Sequence, residues 1–280
     1  MTLHGPGARW VRVALQVNPY DYKGANQPSK SFASEEAYNE ALLDECDALG
    51  VEMIAVTDHW AVDTAGGLIA AATDRGIAAL PGFEANSSEG VHLLVLFELG
   101  TSAATVNAAI GACGATPGCA NGTTGYSFKK ILVVMTDAGA LVIPAHINVP
   151  NSGMLMGRTG QPLVDMVTDP VLHAVAITPS KPDGTDQQLI IKGSKPYDRI
   201  HPLAFLHADD VVNPAQLADP GSTSWFKLSS VKLDSLKLAV RTPQTRVSCT
   251  DPSTVPRAVL TEISWTGGFL DGVSTRSPAT

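Results

Sequence analysis

The segment SEEAYNEALLDECDALGVEMIAVTDH, residues 34–59, contains the pattern that decides the fold. Ser34 is a typical helix N-cap, and apolar residues recur at helical spacing from there until Gly50, which predicts one amphipathic helix. The apolar run at 51–56 that follows has the length of a buried strand. Three polar residues, Thr57-Asp58-His59, come immediately after it. The segment therefore predicts an α/β unit with chemically active side chains at the carboxyl end of its strand.

The same alternation of helix and strand signals continues to about residue 210. Further helices are predicted at 63–75 and 127–138, each followed by a glycine. Further strands are predicted at 77–80, 92–97, 140–145, 171–177 and 203–206. Short connections between these elements favour right-handed crossovers and a parallel sheet, either open or closed into a barrel. Two stretches, 111–125 and 148–161, are predicted to be long loops.

The composition favours a globular α/β protein. The 280 residues are 44% hydrophobic and 16% charged, enough for one large domain or two small ones. No apolar stretch is long enough to span a membrane, and the four cysteines are too few for a disulfide scaffold of this size. We therefore expect a soluble, cytoplasmic protein with no membrane partner. The net charge of −8 gives no support for non-specific wrapping of nucleic acid, but it suits a site that gathers carboxylates around metal ions.

Residues of the types that bind metals follow the ends of several predicted strands. They are Asp58, His59, Glu84, His146, His207, Asp209 and Asp210. In a parallel α/β sheet the carboxyl ends of the strands lie on one face, where loops assemble active sites. Imidazoles and carboxylates together suit zinc, manganese or iron. The sequence thus predicts a site for divalent ions at this face.

These residues lie in ordered motifs that resemble those of the PHP family, the polymerase and histidinol phosphatase domains. The motifs are Val56-Thr57-Asp58-His59, Pro81-Gly82-Phe83-Glu84, His92-Leu93-Leu94 and Pro144-Ala145-His146. The resemblance covers about residues 9–250 and implies a distorted (β/α)7 TIM-like barrel that binds up to three metal ions. It also implies hydrolysis of a phosphoester, with nucleotides and nucleic acids among the candidate substrates.

The matching positions provide the candidate site residues. The metal ligands are His59, Glu84, His92, His146 and Asp209, and the catalytic residues are Asp58, Glu84 and His146. Asp58 would orient a neighbouring imidazole, although an aspartate there more often caps the following helix. His59 and His146, each taken alone, are more typical of hydrogen-bonded structural residues, and only together do they favour a metal site. His92 is as typical of the edge of the core as of a ligand. His207 and Asp210 are close enough to substitute for a missing ligand.

The sequence departs from the family at three positions. Gln16 and Asn18 stand where the family has a His-x-His pair at the end of its first strand. Val211 stands where a late Asp-x-His pair would place its histidine. Neutral amides hold a transition metal far less well than imidazole does. We therefore expect a reduced number of divalent ions, in a mononuclear or dinuclear site.

The carboxyl-terminal part is similar to a subgroup in which a PHP-type module is fused to an AAA/SMC-like ATPase, the TrlF-type proteins. The matching stretches are 225–228, 241–247 and 267–272. Residues 1–250 would then form the phosphoesterase barrel, and 251–280 a linker and the first strand of an ATPase domain. An isolated strand is predicted at 258–264. An ATPase domain or subunit is accordingly an expected partner, together with the phosphoester substrate.

Three functions are open from the sequence. The first is metal-dependent hydrolysis of a phosphoester. The second is a catalytically inactive module that binds a ligand or regulates an attached ATPase, which the amides Gln16 and Asn18 favour. The third is a barrel enzyme of another metal-dependent chemistry, such as an amidohydrolase, which uses similar ligands at the same face. Serine-hydrolase chemistry has no support, because the chain has no Gly-x-Ser-x-Gly motif.

Overall fold

The computed structural model describes residues 7–119, 122, 124–254, 262–264 and 274–276. The chain divides into two compact units, Met1–Thr250 and Asp251–Thr280. The strands of the first unit are β1 (Arg9–Val17), β2 (Val51–Val56), β3 (Ala78–Asn86), β4 (His92–Leu96), β5 (Leu141–Pro144), β6 (Ala174–Ala176), β7 (Ala204–Leu206), β8 (Ser224–Leu228) and β9 (Val247–Ser248). Seven of these described strands form one sheet in the order β5-β4-β3-β2-β1-β8-β9, and β6 pairs with β7.

Helices connect most of these strands. They are α1 (Glu35–Leu49), α2 (Gly66–Asp74), α3 (Ala103–Ala112), α4 (Phe128–Asp137), α5 (Gln161–Val167), α6 (Thr185–Ile191), α7 (Leu233–Arg241) and α8 (Pro243–Arg246). The side chain of Ser34 caps α1 as the sequence predicts, and Gly50 ends α1 in the left-handed conformation. The side chain of Ser127 caps α4 in the same way. Helix α3 extends into the loop predicted at 111–125, because its small residues give a weak apolar period.

The sheet is mixed, whereas the sequence predicts a parallel one. Strands β1, β2 and β3 are parallel, but β4 is antiparallel to both β3 and β5. Only five residues, 87–91, join β3 to β4, and Gly90 closes a turn there by donating its N–H to Ser87 O. Since a parallel neighbour needs a crossover of a dozen residues or so, β4 has to return antiparallel.

Strand β3 is longer than predicted and includes Glu84. Pro81 lies opposite Val56, where its missing N–H is tolerated, and its carbonyl accepts a hydrogen bond from Phe97 N at 2.9 Å. At Gly82 a Cβ would lie 2.7 Å from Val95 O, so only glycine lets β3 and β4 approach this closely. Glu84 is therefore held by a paired strand and does not lie in the loop that the sequence predicts.

Main-chain hydrogen bonds continue the curved sheet beyond the ends of β5 and β7. Ile147 N donates to Ala176 O at 2.8 Å, which links the segment after β5 to β6. Val211 N donates to Gln16 O, and Asn18 N to Val211 O, both at 3.0 Å, which links the segment after β7 to β1. The predicted α/β class is confirmed. Within the described residues, the strand ladders form a curled sheet, and they do not run continuously around a seven-stranded ring.

Two apolar clusters lie on the two sides of this sheet. Alternate residues of a strand point to opposite faces, so Val13 and Leu15 of β1 belong to one cluster and Ala14 to the other. An irregularity in the pairing of β1 between Ala14 and Val17 places Val17 in the same cluster as Ala14. On the helix side they pack against Tyr38, Leu42 and Cys46 of α1. With buried side chains on both faces, the strands are fixed in position, and so are the residues at their ends.

The second unit contains β10 (Glu262–Ser264), which pairs antiparallel with β11 (Ser274–Arg276). The strand predicted as isolated at 258–264 therefore has a partner. Residues 258–261 and the predicted ATPase-like stretch 267–272 lie outside the described residues. Cys46 and Cys113 are buried thiols. In the described part of the chain, every helix is too short or too polar to cross a lipid bilayer.

Candidate metal centre

Main-chain pairing places His59 beside Glu84. The segment after β2 continues along β3, because Glu84 N donates to Asp58 O at 2.9 Å and Trp60 N donates to Glu84 O at 3.1 Å. Trp60 adopts a positive φ of 49°, which turns the chain away directly after His59. His92 begins β4 opposite Asn86 at the end of β3, so its side chain lies at the same edge. Three neighbouring strands, β2, β3 and β4, thus bring together residues that are 33 positions apart in sequence.

Three imidazoles converge on the Glu84 carboxylate, which is only 1% exposed. His92 Nδ1 lies 2.6 Å and His146 Nε2 3.4 Å from Glu84 Oε1, while His59 Nδ1 lies 3.4 Å from Oε2. Burial by itself would raise the pKa of Glu84. The hydrogen bonds from His146 and His92 and the charge of the rings outweigh this and hold that pKa well below its usual range. These contacts favour the ionised form of Glu84.

The environments of two of the histidines differ. Burial lowers the pKa of His59, which favours the neutral ring that binds a metal through a free lone pair. Burial also opposes protonation of His146, but its hydrogen bond to Glu84 prevails and raises the pKa of that ring. The backbone of His146 has a φ of 32°, in the left-handed region that non-glycine residues seldom adopt. Such strain is typical of residues whose orientation matters for function.

The cluster fits a divalent metal ion. His59, Glu84 and His92 each offer a ligand atom, and these atoms all lie within 4.8 Å of one another. Two imidazole nitrogens and a buried carboxylate form a donor set that suits zinc, manganese or iron. His146 adjoins the set, with its ring centroid 5.3 Å from that of His92. Four of the five predicted ligands therefore lie together.

Asp209, the fifth predicted ligand, lies on another wall of the same pocket, which has a volume of about 440 Å³. Its Oδ1 accepts a hydrogen bond from the Thr178 hydroxyl at 2.5 Å. A Cβ on Gly221 would lie 1.9 Å from Asp209 Oδ2, so the carboxylate would have to move if another residue stood there. Burial raises the pKa of Asp209. It is not among the three residues whose ligand atoms cluster within 4.8 Å.

Asp210 and Tyr22 also line the pocket. Burial, followed by the charge of Glu84, raises the pKa of Asp210 to about 6. The Tyr22 hydroxyl lies 3.0 Å from His59 Nε2 and 3.4 Å from Asp210 Oδ1, and its ring stacks on His59 with centroids 5.4 Å apart. Burial and the Asp210 charge raise the pKa of Tyr22. The sequence indicates Asp210 only as a substitute ligand and gives no signal for Tyr22.

The three positions that depart from the family motif lie beside Asp210. Gln16 Nε2 donates to Asp210 Oδ1 at 3.0 Å and to Glu84 Oε2 at 3.3 Å. The amide of Asn18, with its nitrogen toward Asp210, donates to Asp210 Oδ1 at 3.2 Å and to Val211 O at 3.3 Å. Val211 is fully buried and forms a parallel bridge with Val17.

Two predicted residues have other surroundings. The Asp58 carboxylate accepts hydrogen bonds from Lys23 N, His59 N and the Thr64 hydroxyl, each at 2.8 Å, and it does not line the pocket. It therefore holds the turn that presents His59, and burial raises its pKa to about 6. His207, a possible substitute ligand in the sequence, has its Nδ1 2.6 Å from Pro220 O, outside the pocket lining.

The pocket has an acidic lining. Glu84, Asp209 and Asp210 contribute carboxylates, and no lysine or arginine is found among the described residues that line it. An anionic ligand would be repelled by these carboxylates unless a cation lay between them. The pocket is therefore suited to bind a cation. It is suited to bind an anion only when a cation is bound as well.

Comparison with known proteins identifies the fold. No sequence model of a protein family matches the chain, and no curated protein matches it either. Several solved structures match the chain. The lesion-specific endonuclease EndoQ from Pyrococcus furiosus is 13% identical, with a TM-score of 0.59 over 85% of this chain and 57% of that one. Endonuclease Q in complex with a 27-mer duplex carrying an abasic lesion at the active site is also 13% identical, with a TM-score of 0.59 over 85% and 58%.

A third similar structure is a two-domain protein from Bacteroides vulgatus that contains a predicted PHP-like metal-dependent phosphoesterase. It is 13% identical, with a TM-score of 0.55 over 86% of this chain and 65% of that one. The chain thus spans 57–65% of the length of these three solved proteins. At this level of identity the similarity establishes the architecture, which is the α/β fold of endonuclease Q and of this PHP-like protein.

Proposed function

We propose that this chain is a metal-dependent phosphoesterase, a distorted (β/α)7 barrel of the PHP type with a partly degenerate metal site. The observation that supports this proposal most strongly is the convergence of three imidazoles on the buried Glu84 carboxylate. His59, Glu84, His92 and His146 would hold the ion, which would be zinc, manganese or iron. When bound, such an ion supplies a Lewis acid toward a phosphoryl oxygen and toward water.

The acidic lining makes substrate binding depend on the ion. A phosphoester is an anion, and the lining residues described provide carboxylates without lysine or arginine. Without the ion, the carboxylates of the pocket therefore repel the substrate. The bound ion would supply the compensating positive charge. We expect removal of the metal to weaken substrate binding as well as to stop turnover.

The residues around the ion have distinct proposed roles. Glu84 orients the three rings through its two carboxylate oxygens. His146, whose pKa Glu84 raises, is the ring most able to hold a proton near neutral pH. Asp209 remains a candidate ligand from the opposite wall, with one oxygen fixed by Thr178. Asp58 is a positioning residue, because its carboxylate accepts the His59 amide N–H.

The substrate class we propose is a phosphoester, with nucleic acid among the candidates. Endonuclease Q shares the fold and holds a lesion-containing duplex at its active site. Because this chain spans 58% of that protein, the proposal is limited to the phosphoester and does not extend to lesion recognition. Suitable probes are p-nitrophenyl phosphate, bis(p-nitrophenyl) phosphate and a duplex with one abasic site.

Hydrolysis of these probes after loading with Mn²⁺ or Zn²⁺ tests the proposal. Glu84→Ala and His146→Ala are each expected to reduce turnover by about 100-fold or more, because each removes a group at the reacting centre. His201→Ala is the matched control, since His201 is exposed and lies outside the pocket lining. Unchanged turnover in both site variants would remove Glu84 and His146 from the mechanism.

A second candidate is a catalytically inactive module that binds a ligand or regulates an attached AAA/SMC-like ATPase. The observation that favours it is the pair of amides, Gln16 and Asn18, that surround Asp210 at the end of β1. In this proposal residues 251–280 are the linker and first strand of the ATPase domain. A protein that retains its metal but hydrolyses none of the three probes would support this candidate over the first.

A further inference from the structure

Gln16 lies between two carboxylates that line the pocket, Glu84 and Asp210. Its side chain is fully buried, and Nε2 donates to both Asp210 Oδ1 at 3.0 Å and Glu84 Oε2 at 3.3 Å. Glu84 and Asp210 come from different elements, 126 positions apart in sequence. A single –NH₂ group therefore bridges two acidic side chains that would otherwise face each other across a buried space.

Further neutral donors surround the Asp210 end of this bridge. Asp210 Oδ1 also receives the Asn18 amide at 3.2 Å and the Tyr22 hydroxyl at 3.4 Å. Gln16, Asn18 and Tyr22 together provide hydrogen bonds that a partly buried carboxylate requires. Each of these three contacts is a hydrogen bond from a neutral side chain to the same carboxylate oxygen.

The Gln16 amide nitrogen competes with an ion for the two carboxylates. An amide nitrogen donates hydrogen bonds and has no lone pair to offer a metal, and here it contacts both Glu84 Oε2 and Asp210 Oδ1. An ion that bound both of these oxygens would have to displace these hydrogen bonds. On the other side of Glu84, the contacts to Oε1 are ring nitrogens of His92 and His146, which can themselves be metal ligands.

The orientation of the Gln16 amide follows from its two acceptors. Gln16 Oε1 is buried without a hydrogen-bond partner among the described residues, which is an unfavourable position for a carbonyl oxygen. Rotation of the amide by half a turn would point that oxygen at two carboxylates. The electrostatic repulsion between these oxygens would disfavour this orientation unless a cation lay between them. The alternative arrangement is therefore a rotated amide with a second ion between the carboxylates, in which Gln16 Oε1 is a ligand of that ion.

We propose that the Gln16 amide takes the place of a second cation, so that the pocket binds one divalent ion, at the imidazole side of Glu84. This inference rests on the proposed function, because it assumes the metal centre at His59, Glu84, His92 and His146. In it, Gln16 is a positioning residue that holds Glu84 and Asp210 together. Asp210 is a hydrogen-bond acceptor and does not bind the ion.

The stoichiometry of the full chain tests this directly. The protein is loaded with Mn²⁺, desalted, and analysed for manganese per chain by mass spectrometry, with electron paramagnetic resonance to distinguish isolated from coupled ions. One isolated ion per chain is the expected result. Two coupled ions would overturn the inference and leave the proposed phosphoesterase intact. Failure to retain any ion would overturn the proposed metal centre, and this inference with it.

Gln16→Glu tests the role of the amide itself. This change removes the donor and adds a third carboxylate, so the pocket should then bind a second ion, and the manganese content should rise from one to two per chain. Gln188→Glu, the same change at an exposed position of α6, is the matched control and should retain one ion. A folded Gln16→Glu variant with one ion of unchanged affinity would contradict the proposal. If that variant does not fold, the wild-type stoichiometry decides.

Discussion

At the scale of single residues, the pocket combines a carboxylate whose pKa is lowered with one whose pKa is raised. Glu84 is held well below its usual pKa by the rings around it, whereas burial and the Glu84 charge raise the pKa of Asp210 to about 6. Two carboxylates that share a donor in a buried site separate in this way, because they resist being charged together. The pair therefore makes the stability of the protein depend on pH.

We predict that Asp210→Asn stabilises the metal-free protein at neutral pH. Because folding raises the pKa of Asp210, its contribution to the stability of the folded protein depends on pH. This contribution is complete below the unfolded pKa of about 3.9 and is lost as the pH rises through about 6. The amide of the variant does not ionise, so it avoids this loss. At pH 7.5 the free energy of unfolding of the variant should exceed that of the wild type by roughly 1–3 kcal/mol. Thermal melts in EDTA between pH 4.5 and 7.5 measure it, and the advantage should shrink toward pH 4.5.

Asp74→Asn provides the control for that experiment, since Asp74 is exposed at the end of α2. Its melting temperature should follow that of the wild type at every pH. An Asp210→Asn variant that is less stable than the wild type at pH 7.5 would mean that the charged carboxylate is favourable in its place. The hydrogen bonds from Gln16, Asn18 and Tyr22 would then outweigh the repulsion from Glu84.

Sequence reasoning identified the residues that follow strands and missed those placed by long-range pairing. His59 and His146 directly follow apolar runs, and Glu84 and His92 lie in short motifs, so each could be selected locally. The sequence does not reveal which of the adjacent Asp209 and Asp210 faces Glu84, because main-chain bonds between Val211 and β1 decide it. Tyr22 lies in an irregular segment after β1, where no periodic pattern indicates the direction of a side chain.

At the scale of elements, the close contact of β3 with β4 determines where Glu84 lies. Gly82 and Glu84 are two positions apart on the same face of β3, and both pair with β4. The sequence predicts that β3 ends at Leu80, because proline and glycine ordinarily interrupt strands. Here Pro81 occupies a position that needs no N–H, and Gly82 occupies one with no space for a Cβ. The local rule failed because the tertiary contact requires these two residues.

We predict that Gly82→Ala lowers both stability and metal affinity. The added Cβ would lie 2.7 Å from Val95 O and 2.9 Å from Leu96 Cδ2, so β3 and β4 would have to separate. The expected loss is roughly 1–3 kcal/mol in the free energy of unfolding, measured by urea denaturation. Gly111→Ala is the matched control: the site lies in α3 with open space around it, and stability should rise by roughly 0.5–1 kcal/mol.

Retention of full stability by Gly82→Ala would show that β3 and β4 can separate at no cost. Loss of stability without loss of metal affinity would show that Glu84 is held independently of its strand. Either outcome would contradict the view that the strand pairing positions the ligand. Manganese titration of the folded variant distinguishes the two cases.

At the scale of the whole molecule, the first unit contains everything that the candidate site needs. Both apolar clusters and all the described lining residues of the pocket lie within Met1–Thr250. The general α/β architecture was predictable from the alternation of helix and strand signals. The mixed sheet was not, because its direction reverses at 87–91, where the length of one short turn decides it.

We predict that a chain ending at Thr250 folds and binds metal as the full chain does. Its melting temperature should lie within about 3 °C of that of the full chain, with the same manganese content. A chain ending at Ser230 is the control, since it lacks α7, whose Leu233 and Leu236 are fully buried. Aggregation or loss of metal in the chain ending at Thr250 would show that 251–280 is needed for the first unit to fold.

The bridge between Val17 and Val211 has a consequence for biosynthesis. Gln16 meets Asp210 across 194 residues of sequence, and Tyr22 meets it across 188. Contacts between such distant segments form late, since a long loop must close first, and on the ribosome Asp210 is not yet synthesised when the four proposed ligands emerge. The nascent pocket would thus expose Glu84 and three histidines before Gln16 has its second acceptor. We expect the one-ion selectivity of the site to be acquired only when synthesis has passed the segment after β7.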